Sequence, residues 1–177
     1  MAVIERSIRE VLRQLDVCVK ALLPFHPETP LAQWVVQLFA DQDDALVEGM
    51  VCCLDVTVGL CYRESTLPDL RRCLSPAVTF VQFLRAVSHD PDVLLDLLVS
   101  NETCFLLYLL RLLKYVRRNW PEFVAACGRE LDDTMSVLIR LRLSIDRLVS
   151  KALFPYNINP VLRLLEKCEQ MYEGNHD

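Results

Sequence analysis

The sequence predicts an all-α protein, either an armadillo- or HEAT-like helical stack or a compact multi-helix bundle around a buried central helix. Three observations carry this. Apolar side chains recur at helical spacing along most of the chain, with no strand-like alternation longer than a few residues. Leucine dominates the apolar set, which favours helix over strand. Four glycines are too few for serial β-turns, a phosphate-cradling loop or a flexible linker. A length of 177 residues suits one helical domain. It divides into a covering helix over 1–23, a core over 30–128 and a C-terminal pair over 130–172.

In the first helix Ile4, Ile8, Val11, Leu12, Leu15, Val19 and Leu22 share one face. Glu5/Arg9, Arg6/Glu10 and Asp16/Lys20 pair opposite charges at i,i+4 on the other. This predicts a surface helix lying on the core, broken by Pro24, Pro27 and Pro30. Thr29-Pro30 then reads as an N-cap hydroxyl with proline at N1, and the device recurs at Ser75-Pro76, Asp90-Pro91 and Asn159-Pro160. Pro121, two residues after Asn119, makes a fifth start. Trp34, Leu38 and Phe39 line the second helix. Asp41, Asp43 and Asp44 end it and begin the third, where first-turn carboxylates complement the helix dipole. Glu48 and Asp55 are almost the only later charges there, so that helix is expected to be deeply buried. A loop over 63–69, a short turn near Leu70–Leu74, and helices near 76–88 and 91–99 follow.

The stretch from Phe105 to Leu110 is apolar on every helical face, and only then does a charged stripe appear at Arg111, Lys114 and Arg118. A helix apolar all round belongs inside other helices or inside lipid. The longest uncharged runs, Thr29–Ala40 and Cys73–Leu84, are 12 residues, short of the roughly 20 that a bilayer span requires. Residues 102–118 are therefore the expected central helix. A brief helix over 121–127 stops at Gly128. Leu131, Met135, Leu138, Ile145, Leu148 and Ala152 make the seam of a long helix over 130–152. Leu153–Asn157 forms an apolar corner, and Val161, Leu164, Leu165, Cys168 and Tyr172 line the last helix before a frayed tail over 173–177.

The net charge of −5 is uneven. Residues 1–100 hold 8 basic and 14 acidic side chains, residues 101–163 hold 10 and 6. That balance argues against general nucleic-acid binding, which needs a strongly basic domain. The start turns charged at once, unlike a signal peptide. Eight cysteines in so apolar a chain fit reduced thiols of the cytosol or nucleus better than a disulfide framework. There is no C-x-x-C, and His26, His89 and His176 are isolated, so buried thiols acting as small hydrophobes are preferred to zinc ligation. Asp41–Asp44 lacks the glycine of an EF-hand loop and reads as capping. No nucleophile–base pattern or Walker loop is present. No enzyme, cofactor or small-molecule substrate is expected. Arg111, Lys114, Arg117, Arg118, Arg140, Arg142 and Arg147 would form a basic groove if the central and long helices are neighbours; a solvated face is the plainer reading.

Three stretches resemble the Lines family. One runs through Trp34, Phe39, Asp41, Asp43 and Asp44 to Glu48 and Asp55; the second holds Glu102, Thr103, Cys104 and Phe105, with Tyr108 and Trp120; the third is Phe154-Pro155-Tyr156-Asn157 followed by Pro160. Members of the family are usually longer, and here the segment before the long helix is compressed to Pro121–Glu130. The resemblance implies a non-enzymatic regulator of Wnt-type signalling in cytoplasm and nucleus. It implies contacts with other proteins, among them zinc-finger transcription factors of the odd-skipped class, and no membrane. It transfers no catalytic residue. Two other classes stay open: a groove-bearing bundle of the apoptosis-regulator type, and a helical scaffold in a DNA-repair or chromatin complex.

Overall fold

The computed structural model describes residues 2–24, 26, 28–61, 73–100 and 102–174. The loop expected over 63–69, most of the turn expected at 70–74, His176 and the end of the tail lie outside these. Among the described residues there are nine α-helices and no strand. They are α1 (Ala2–Leu22), α2 (Leu31–Leu38), α3 (Asp43–Cys61), α4 (Pro76–Ala86), α5 (Pro91–Val99), α6 (Phe105–Arg118), α7 (Trp120–Cys127), α8 (Leu131–Ser150) and α9 (Asn159–Glu173). A single 3-10 turn over Gly128–Glu130 joins α7 to α8. The all-α class stands.

Helix starts follow local chemistry, though not everywhere as expected. Ser75 Oγ accepts from Val78 N at 3.4 Å and Asp90 Oδ1 from Asp92 N at 2.9 Å, each with proline in the first turn. Thr29 is not a cap; α2 begins at Leu31 with Pro30 before it and no side-chain cap. At α9 the role falls to Asn157, whose Oδ1 accepts from Asn159 N at 3.1 Å. Asn119 serves two helices: it closes α6, where its Nδ2 donates to Tyr115 O at 3.0 Å, and stands at the N-cap of α7, where its carbonyl accepts from Phe123 N at 2.9 Å while its side chain caps nothing. The α7 helix stops at Gly128, where φ is +54°, a value side chains with a Cβ resist.

Helix α6 packs against α3, α5, α7 and α9, as a central helix must. Phe105, Tyr108, Leu109, Leu112, Leu113, Tyr115 and Val116 are all buried. Each aliphatic or Phe side chain among them is worth about 1.5–3 kcal/mol of burial. One expectation fails: Leu107 is 43% exposed, because the neighbours enclose most of the helix but not its whole circumference. Among the helices after residue 73, contacts recur at a spacing of three, α4 on α7, α5 on α8 and α6 on α9, while α2 packs on α4 and α3 on α6.

The core lies in two clusters. The larger one spans α2 to α9 and contains Trp120; the smaller holds six buried residues, Val19, Leu31, Trp34, Val35, Cys53 and Leu74. Helix α1 joins only the smaller one. Trp34 Nε1 donates to Asp16 Oδ1 at 3.1 Å, so Asp16 faces inward and is not on the outer face assigned to it. Lys20 does pair with Asp16, at 3.0 Å, whereas Glu10 pairs with Arg13 rather than Arg6. Val11, Leu15 and Leu22 of the expected inner face remain exposed, and an apolar cleft of about 500 Å³ opens between α1, α2 and α3. The side chains of Ile4 and Glu5 lie outside the description. At the other end α8 stops at Ser150, and Ala152, expected in its seam, turns out at φ +55° and is exposed.

Candidate functional site

Between α3 and α6 lies a groove of about 350 Å³ lined by Leu54, Asp55, Val58, Arg111, Lys114, Tyr115, Arg118 and Asn119. Its construction follows from helical periodicity. Positions 111, 114 and 118 share one face of α6, so the charged stripe becomes a ridge along one wall. Positions 54 and 58 of α3 are one turn apart and supply an apolar floor. Leu54 is fully buried and the Tyr115 ring nearly so. The other wall carries a single charge, Asp55, and Arg111 Nη1 donates to both its oxygens, at 2.8 and 2.7 Å. Lys114 and Arg118 form no ion pair among the described residues.

The other expected cations are placed elsewhere. Arg117 does not line the groove and stands close enough to Cys168 of α9 to pull its thiol down, against a larger upward push from burial. Arg140 and Arg147 are exposed on α8, whose packing partners are α5, α7 and α9. The seven-residue basic groove does not form, because α9 packs against both α6 and α8. Arg142 is half-buried and committed: Nε and Nη2 donate to Glu169 at 2.6 and 3.2 Å, and Nη1 to Asp146 at 2.9 Å. Those carboxylates hold its guanidinium even further above neutrality than usual. Sequence reasoning missed the roles of Asp55 and Tyr115 in the groove. Asp55 did leave a signal, as a lone charge well inside a mostly apolar helix.

The residues chosen for resemblance are mostly fold residues. Trp34 and Trp120 are buried, and Phe39 packs against both core clusters. Thr103 Oγ1 accepts from Phe105 N at 3.3 Å and opens α6. Phe154 and Tyr156 meet edge to face with centroids 5.1 Å apart, and Tyr156 Oη donates to Leu98 O, tying the corner around exposed Pro155 to the end of α5. Asp41 is exposed in the turn before α3. Asp43, Asp44, Glu102 and Thr103 come from two distant stretches yet line one open cleft of about 670 Å³, together with Asp96. Burial, and after it the Glu48 and Asp44 carboxylates, push the nearby Cys104 thiol up.

Burial is the chief influence on the inner thiols. Cys53 and Cys168 are pushed up to about 11 and Cys127 to about 12, so at neutral pH they are protonated small hydrophobes. Among the described residues no group of three or more His, Cys, Asp or Glu is placed to hold a metal ion. No helix among them is long and apolar enough to cross a membrane.

These features define an all-helical protein with a basic-walled, apolar-floored groove between α3 and α6. Its sequence places it more closely. The family profile of the Lines N-terminus matches residues 1–127, and that of the Lines C-terminus matches residues 134–170. The chain belongs to the Lines family. It is 57% identical over 181 residues to Protein lines of Drosophila melanogaster, covering 99% of this chain and 21% of the fly protein. It is 29% identical over 137 residues to Protein Lines homolog 1 of Homo sapiens, covering 71% of this chain and 18% of the human protein. The mouse homologue of that name is 31% identical over 114 residues, 57% of this chain and 15% of its own length. The chain thus spans about a fifth of the length of the curated relatives it matches. No solved structure matches it.

Proposed function

We propose that this chain is a non-enzymatic interaction scaffold, acting in Wnt-type developmental signalling and transcription, and that the α3–α6 groove captures its protein partner. The observation that carries the reading is that Arg111, Lys114 and Arg118 line one groove over the apolar floor of Leu54 and Val58. Such a surface suits an acidic, partly apolar segment of another protein, here a transcription regulator of the zinc-finger type, in cytoplasm and nucleus. The recurrence of contacts every third helix supports an armadillo-like stack of three-helix layers. In that reading α6 and α9 are equivalent members of one row, and the groove runs between α6 and the earlier α3.

Affinity purification from cells, followed by mass spectrometry, tests this with wild type against Lys114→Glu/Arg118→Glu. Both side chains are exposed. The double variant should lose partners that the wild type captures while its melting temperature stays within about 2 °C, as for surface substitutions elsewhere. An unchanged partner list removes the groove from the mechanism, and a lowered melting temperature makes the two cations structural.

A further inference from the structure

We propose that Asp55 is a built-in competitor for the groove's ligand: in the free protein it holds Arg111, and a carboxylate of the docking partner takes its place. The inference rests on the α3–α6 groove being the partner-binding surface. It adds that the empty groove is partly neutralised from within, and that binding completes the basic wall.

The geometry of the pair points to it. Arg111 meets Asp55 through Nη1 alone, which spans both oxygens. A guanidinium binds a carboxylate best through two nitrogens in parallel. Arg142 does this with Glu169, through Nε and Nη2. In Arg111 those two nitrogens donate to no acceptor among the described residues, so Asp55 leaves that fork unengaged and able to take a second carboxylate.

Exposure points the same way. The Arg111 and Asp55 side chains are 43% and 53% exposed, against 18% each for Arg142 and Glu169. An ion pair so open to water is worth little, so its replacement costs little. The surroundings then set the chemistry of the replacement. Lys114 and Arg118 extend the wall along the same face of α6, and three cations face one carboxylate in the groove. Half-buried Val58 offers apolar contact beneath them, backed by enclosed Leu54 and the nearly enclosed Tyr115 ring. The occupant is therefore an amphipathic protein segment whose carboxylates flank an apolar stripe.

Fluorescence anisotropy with a labelled peptide, its leucine stripe flanked by glutamates, tests the proposal; a counterpart with glutamine for glutamate sets the baseline. The proteins compared are wild type, Asp55→Asn, Asp55→Asn/Arg111→Ala, Asp96→Asn and Lys114→Glu/Arg118→Glu, each checked for an unchanged melting curve. Asp55→Asn should bind the acidic peptide about two- to fivefold more tightly at low salt, the range in which exposed pairs fall. The gain should vanish when Arg111 is also removed. Asp96→Asn makes the same change in net charge outside the groove and should give no gain. The competitor role is overturned if Asp55→Asn binds no tighter than wild type, if its gain survives the loss of Arg111, or if Asp96→Asn matches it. Should Lys114→Glu/Arg118→Glu weaken binding while Asp55→Asn fails to tighten it, the groove stands and only the competitor falls. Should the wild type bind both peptides alike, the groove itself falls.

Discussion

Two arginines that look alike in the sequence have opposite fates. Arg142 spends three nitrogens on Glu169 and Asp146, joining α8 to α9, whereas Arg111 spends one on Asp55. The residue types were legible beforehand, because arginines at helical spacing are easily counted. Their partners were not: Asp55 is 56 residues from Arg111 and Glu169 is 27 from Arg142, and no local pattern links such positions. The cysteines divide in the same manner. Cys53, Cys127 and Cys168 are buried while Cys18, Cys52 and Cys73 are exposed. Thiol labelling of the folded protein at neutral pH, read by mass spectrometry of peptides, should modify the exposed three quickly. The buried three should react only on the timescale of opening, since burial both shields them and disfavours the thiolate. Rapid labelling of Cys168 would show that α9 does not stay docked.

At the level of the helix, amphipathic period and interruption by charge were enough to identify α6 as the central element. What they could not supply was how much of its circumference would be covered. Leu112 is fully enclosed and Leu107 is 43% exposed, although each is a leucine in the same run. Leu112→Ala should therefore cost about 2.7–5 kcal/mol, the range for a large cavity-forming change. Leu107→Gln should stay within about 0.5 kcal/mol. Urea unfolding of both variants measures the difference; equal losses would mean that Leu107 is covered in solution. Helix starts were legible at Ser75 and Asp90, and by position at Asn119, and misassigned at Thr29 and Asn159 although each also precedes proline. In both cases the start moved by one residue or more: Pro30 precedes α2 without a side-chain cap, and Asn157 takes the Asn159 N–H.

Across the molecule the fold class was legible because helical period and leucine content agree along the chain. The spacing of contacts every third helix was not, since it depends on how loops fold back and on pairs such as α4 with α7. The covering role of α1 was legible only in part. Its stripe is real, yet it is wider than the surface it meets, which leaves Val11 and Leu15 in water beside an unfilled cleft. The division of the interior has an optical consequence. The chain contains two tryptophans, and each sits in a different cluster, Trp34 beneath the first helix and Trp120 among the later ones. Replacing one at a time with phenylalanine gives two proteins that each glow from a single region. In urea, the emission of Trp34 should shift before that of Trp120, because six enclosed residues are less to hold on to than the larger assembly. Coincident curves would mean that both regions melt as one. The molecule carries its own pair of lamps for asking which half lets go first.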